Sequence, residues 1–298
     1  MKPLIAVAAT AVLAPSLASA APAPLTAPIA NSHAAEWLAP QAPVRIFGDI
    51  YYVGTAGLSV ALIKTPAGAI LIDASMPKGA SAIAAHIRQL GLKPTDVKYI
   101  LVTEPHYDHA GGAAALARDT GAVVVASPPS AKALRAGQVG DDDPQAGLLA
   151  PFPAVAEVRE IGDGEAVTLG GVSVTARATP GHTAGSTSWT WTSCEGGKCL
   201  NVVFAASLNP VSADGFRFTG TPLPDVFRRS GQRLARLPCD ILISAHPDNS
   251  GMGAKLKALE AGATPNPFMD PGACRAYAAR AAGLLDARLA KEQAVAAR

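Results

Sequence analysis

Thr103-Glu104-Pro105-His106-Tyr107-Asp108-His109-Ala110-Gly111-Gly112 decides how this chain is read. Three of its side chains, His106, Asp108 and His109, are ordinary metal ligands at neutral pH. Glu104 can serve as a fourth. The stretch follows Tyr99-Ile100-Leu101-Val102, an apolar, β-rich run bounded by turn signals, which predicts a buried strand. Alternate residues of an extended chain share a face. Continued extension points Glu104, His106 and Asp108 one way, and a turn at Asp108-His109 aims His109 another. That spacing can supply ligands to two adjacent metal ions. Imidazole with carboxylate suits Zn²⁺.

Two further histidines fit the pattern. His182 lies in Pro180-Gly181-His182-Thr183-Ala184-Gly185-Ser186, and His246 follows the apolar run Ile241-Leu242-Ile243. Both sit in loops after expected strands, where binding residues collect. Standing alone, either would read as a hydrogen-bonded loop or core histidine. Four of the six histidines at loop positions of one kind read as a ligand set. His33 and His86 take the ordinary structural reading, one in a polar N-terminal segment and one on an expected helix.

The chain opens with Lys2, an apolar run from Leu4 to Leu17, and Ala18-Ser19-Ala20. Residues 1–20 read as a secretory signal with an A-x-A cleavage site, and the apolar run is short for a membrane span. Residues 21–298 are expected to form a single domain, with an Ala- and Pro-rich arm over 21–43. The net charge is +2, and Lys and Arg do not cluster. Nothing points to nucleic acid or an anionic membrane surface, and a monomer is expected. The acidic run 141–143 reads as a solvated turn, because no Gly and distal Glu follow at calcium-loop spacing. Four cysteines suit an exported chain and permit three pairings. The two glycines between Cys194 and Cys199 let those ends meet across a hairpin, which would leave Cys239 with Cys274. A zinc-thiolate site is the weaker alternative, since the chain carries better metal ligands elsewhere.

Short strands are expected near 44–46, 50–53, 59–64, 69–73, 99–102 and 123–126. A second group is expected near 155–161, 166–169, 172–178, 187–191, 201–205 and 241–244. Helices are expected near 80–90, 112–118, 130–135, 225–236, 253–260 and 271–290. Two groups of strands, each with helices, suggest two facing sheets covered outside by helices.

Glu104-x-His106-x-Asp108-His109, followed by His182 and His246, resembles the metallo-β-lactamase superfamily. Within it the chain is most similar to the subclass B3 metallo-β-lactamases. Tyr51-Tyr52-Val53-Gly54-Thr55, Ile70-Leu71-Ile72-Asp73, Ser207-Leu208-Asn209 and Pro238-Cys239-Asp240 support that likeness. The family pattern normally begins with His, or in one branch Gln. Glu104 in that place resembles a small Glu-bearing branch of the same subclass.

The resemblance implies an α/β fold, the four-layer αββα sandwich. It implies two zinc ions, one held by Asp108, His109 and His246, the other by Glu104, His106 and His182. Asp108 counts as catalytic as well as a ligand. Zinc lowers the pKa of bound water from ~15.7 to ~7, so a metal-bound hydroxide replaces a Ser or Cys nucleophile and attacks a β-lactam carbonyl. The Glu104 carboxylate adds negative charge, and the Glu104 site is expected to hold zinc more weakly. Ser207 stands where many hydrolases of the superfamily carry a metal-bridging Asp. Ser207 and Asn209 are thereby candidates to bind the substrate carboxylate. Trp37, in the arm, is a candidate apolar wall of the site, and Ser186 a candidate to orient a ligand. The likeness also implies both disulfides, Cys194–Cys199 and Cys239–Cys274, and the signal over residues 1–20 implies a periplasmic location. Two other functions compete: lactone or thioester hydrolysis, and a weakly catalytic zinc-binding protein.

Overall fold

A computed structural model describes residues 24–296. The signal expected over residues 1–20 lies outside them. Seven strands form the first sheet in sequence order: β1 Val44–Phe47, β2 Ile50–Tyr52, β3 Ala61–Thr65, β4 Gly68–Ile72, β5 Val97–Leu101, β6 Val123–Ala126 and β7 Val158–Glu160. The first four pair antiparallel and β4 to β7 pair parallel. The second sheet comprises β8 Ala166–Leu169, β9 Val172–Ala178, β10 Thr187–Glu195, β11 Lys198–Ala205 and β12 Ile241–Ser244, in the order β12-β11-β10-β9-β8. Helices α1 Ala34–Trp37, α2 Ala80–Gln89, α3 Tyr107–Ala110, α4 Ala113–Thr120, α5 Pro128–Ala136, α6 Leu223–Arg236, α7 Met252–Glu260 and α8 Ala273–Ala296 complete the fold.

Strand alternation builds the layers. In β4, Ile70 and Ile72 face the second sheet, while Leu71 faces out. In β11, Val202 and Phe204 face in, while Val203 and Ala205 face out. The inward sets meet around Trp189 in a core between the sheets. Ile83, Ile87, Leu116 and Leu134 from α2, α4 and α5 cover the outer face of the first sheet. Leu234 of α6 and Tyr277 of α8 cover that of the second. This is the αββα sandwich. Apolar alternation at a period of two leaves each sheet two apolar faces, so each needs a sheet on one side and helices on the other.

Both expected disulfides form. Cys194 and Cys199 face each other across the β10–β11 hairpin, and Cys239–Cys274 ties the approach to β12 to the start of α8. The β10–β11 hairpin extends well past 187–191 and 201–205, pairing as far as Glu195 with Lys198.

Candidate metal centre

The site lies on the rim where β4, β5, β9, β11 and β12 end. Main-chain bonds stitch the two sheets together there: Ser59 N–H donates to Ala245 O (2.9 Å) and Thr187 N–H to Thr103 O (2.8 Å). The chain leaving β5 does not stay extended. It coils at Tyr107 into α3, against the expectation that Glu104, His106 and Asp108 share a face. The coil divides the ligands. Glu104 and His106 join His182 from the loop after β9; Asp108 and His109 join His246 from the end of β12. Within each set the ligand atoms lie within 4.8 Å of one another. The grouping is the one the family likeness implies. Tyr107, between ligands, turns into the outer core, where the Asn31 side chain donates to its hydroxyl.

The second set is tight. Asp108 Oδ2 lies 3.3 Å from both His109 Nε2 and His246 Nε2, and those two nitrogens are 3.1 Å apart. Glu104 belongs to the first set but also reaches across, its Oε1 being 3.1 Å from His109 Nε2 and 3.8 Å from His182 Nε2. Glu104 is fully buried. Burial raises its carboxyl, but the imidazoles of His109, His182 and His106 outweigh this and hold it at about 2. Burial likewise opposes the charge of Asp108, and His109 and His246 hold its carboxyl well below the usual range. Burial lowers His109, but Asp108 and Glu104 raise it well above the usual imidazole range. His182 is lowered, chiefly by burial.

Glu104 Oε1 makes no aligned hydrogen bond, although His109 Nε2 stands 3.1 Å away. A buried anionic oxygen left without one is costly, and a cation beside two imidazoles relieves that cost. The donor set therefore fits divalent metal, and the remaining polar contacts orient it. Glu104 Oε2 accepts from the Ser207 main-chain N–H (3.1 Å) and Ser186 Oγ (3.5 Å). Ser207 itself is fully buried and its hydroxyl unpartnered. Asn209 offers its main-chain oxygen to His182 Nδ1 at 2.8 Å, and its side-chain Oδ1 is unpartnered. Trp37 rests on His246, with ring centroids 5.3 Å apart. His33 stacks on Trp37, and His86 binds Val53 O, so neither joins a ligand set.

Sequence reasoning missed three residues here. Asp143, read as part of a solvated turn, is buried, with Oδ2 3.0 Å from His106 Nε2. Only Asp141 and Asp142 of that run are exposed. Gln145, two residues on, approaches His106 and His182. Asp73 stands 3.6 Å behind His109 Nδ1, on left-handed backbone (φ 66°), and accepts both the N–H and the hydroxyl of Thr103. A non-glycine residue held there is strained, and such strain gathers at functional sites.

A family profile described as the Metallo-beta-lactamase superfamily matches residues 54–195. The solved Rm3 metallo-beta-lactamase is 47% identical, covering 89% of this chain and 100% of that one, with a TM-score of 0.86. A B3 metallo-beta-lactamase with an active-site glutamic acid is 52% identical, covering 92% of this chain and 99% of that one, with a TM-score of 0.84. The chain belongs to the metallo-β-lactamase superfamily, in subclass B3. A more distant relative is the hydroxyacylglutathione hydrolase of Rhodopseudomonas palustris (strain BisB5), 27% identical over 216 residues, which is 67% of this chain and 71% of that protein. In this B3 metallo-β-lactamase, Glu104 is thus no stray substitution. Its carboxylate sits between the two ligand sets and is supported from behind by Ser207 and Ser186.

Proposed function

We propose that the chain is a zinc β-lactamase that opens the cyclic amide of β-lactam antibiotics. The observation that carries this is the pair of three-ligand sets meeting at Glu104, in a chain 52% identical to a B3 metallo-beta-lactamase with an active-site glutamic acid. The two sets would hold zinc, which when bound would supply Lewis acidity and a water activated near neutral pH. The chain's own residues do the rest. Asp108 gathers His109 and His246 around one carboxylate oxygen. Ser207 and Ser186 fix the rotamer of Glu104, and Asn209 fixes the tautomer of His182. Trp37 gives the site one apolar wall, suited to a substrate that is itself a compact, partly apolar ring system. The half-buried Asn209, whose main-chain oxygen holds His182, is assigned a further task for its side-chain amide, that of donating to a substrate carboxylate. The A-x-A signal and the two disulfides support export to the periplasm, since disulfides persist in oxidising compartments.

Hydrolysis of nitrocefin and imipenem by the mature chain at rising zinc, with bound zinc counted in parallel, tests this reading. Turnover that tracks zinc occupancy is expected. The likeness to hydroxyacylglutathione hydrolase favours a second reading, acyl-bond hydrolysis of another kind. Turnover on a thioester or lactone panel, with none on either β-lactam, would establish it instead. No turnover on any of these with zinc bound would leave a zinc-binding protein.

A further inference from the structure

The loop over residues 141–153 reaches the Glu104 set with two side chains, and they grip one imidazole from opposite edges. Asp143 Oδ2 lies 3.0 Å from His106 Nε2. Its other oxygen, Oδ1, accepts the main-chain N–H of Gln145 at 2.8 Å. That turn carries the buried Gln145 side chain round to the far edge of the ring. There Gln145 Nε2 is 3.4 Å from His106 Nδ1 and 3.4 Å from His182 Nε2.

The tautomers follow from the partners. A carboxylate at His106 Nε2 keeps the ring proton on that nitrogen. The main-chain oxygen of Asn209, 2.8 Å from His182 Nδ1, can only accept and keeps the proton there. His106 Nδ1 and His182 Nε2 therefore both present lone pairs, and both face Gln145 Nε2. A primary amide nitrogen carries two hydrogens and accepts nothing. One carboxamide can thus donate to both rings at once. A metal held by Glu104, His106 and His182 needs the same two lone pairs.

We propose that the Gln145 carboxamide competes with metal for the Glu104 site. Its N–H groups hold the two imidazoles and must turn away before both can coordinate. This rests on the reading that the Glu104 set binds metal. Among the described residues, no amide side chain hydrogen-bonds His109 or His246, whose polar side-chain contacts run to Asp108, Glu104, Asp73, Gly57 and each other. The competition is therefore confined to one of the two sites. It weakens that site by a route independent of the identity of residue 104.

Chelator-competition zinc titrations of the full mature chain, repeated with Co²⁺ and read by its visible absorption, test this with two variants. Gln145→Ala removes the donor. Gln145→Leu removes it while keeping bulk in the loop. Both are expected to bind the second ion about tenfold more tightly, as the loss of two weak competing hydrogen bonds implies. The first ion should bind as in the parent chain. Unchanged second-ion affinity in both variants would overturn the proposal. Weaker affinity would also overturn it, and would make the amide a ligand. If the parent chain and both variants saturate at one ion, the metal reading of the Glu104 set fails, and this inference fails with it.

Discussion

The two ligand sets have the same inventory, one carboxylate and two imidazoles, yet they are not equivalent sites. Around the Asp108 set the neighbours are anionic. His109 has Asp108 and Glu104 within 3.3 Å on one edge and Asp73 at 3.6 Å on the other. Around the Glu104 set they are polar and neutral or shared: Gln145 in front, Asn209 O behind His182, and a single carboxylate, Asp143, behind His106. Ligand identity alone therefore does not rank the sites. What stands behind each ligand decides how much charge and how many protons a metal must displace.

The largest difference is expected on removing the central carboxylates. Asp108→Asn deletes the oxygen that both His109 and His246 face. It should lower kcat/KM for nitrocefin more than about 100-fold, since partners one step further from the metal already cost 10–100-fold. Glu104→Gln, which keeps shape and the Ser207 contact, should cost less. Equal losses in the two variants would erase the asymmetry. Next in size is Asp143→Asn. It should weaken metal at the Glu104 set about 10–100-fold, by freeing the His106 tautomer, and leave the Asp108 set unchanged. Zinc affinities measured site by site check both statements.

The fold and the ligands were legible in the sequence for different reasons. Ile70-Leu71-Ile72 and Val202-Val203-Phe204 alternate between two apolar faces, which is itself a statement about layers. His106, Asp108, His109, His182 and His246 are conspicuous because their chemistry is narrow and their loops are alike. Asp143 and Gln145 carried no such mark. Three consecutive aspartates look alike in a sequence, and which one turns inward depends on where the loop over 141–153 is pinned. Ala213 N–H, bonded to Pro144 O, is one such tether, from a segment some seventy residues away. The extended reading past Val102 failed for a local reason: α3 begins at Tyr107 because Ala110 and Gly111 N–H find carbonyl oxygens at His106 and Tyr107.

The protons give a third, smaller contrast. His109 is raised well above the usual imidazole range by Asp108 and Glu104, so it carries a proton at neutral pH in the absence of metal. A metal entering the Asp108 set must displace that proton. Its apparent affinity should therefore rise with pH through neutrality, up to about tenfold per unit, until His109 deprotonates unaided. His182 is lowered, mainly by burial, and is already neutral there. Glu104, at about 2, is ionised throughout. Neither Glu104 nor His182 therefore has a proton to release to a metal above pH 7. Calorimetry of zinc binding in buffers of different ionisation enthalpy counts the released protons. A proton released from His109 as the Asp108 set fills is expected, and no release there would remove this distinction.

The smallest effect is expected at Trp37, whose ring touches only one of the two sets. Its main chain is pinned independently of that ring: Trp37 O accepts from Thr55 Oγ1 (2.6 Å) and Gly57 N–H (3.2 Å). Gly57 is required for this approach, because a Cβ there would come within 2.7 Å of Trp37 Cα. Trp37→Ala should therefore leave the arm in place and remove only the wall beside His246. Aromatic contacts of this kind contribute about 0.5–1.5 kcal/mol beyond area, so a rise in KM of about threefold is expected. The zinc affinity of both sets and kcat should change little. A fall in kcat at constant KM would assign the ring a different task, that of holding His246 in position. The contrast between the sets would then extend to the support of the ligands themselves, with an aromatic brace on one side and a carboxylate behind His106 on the other.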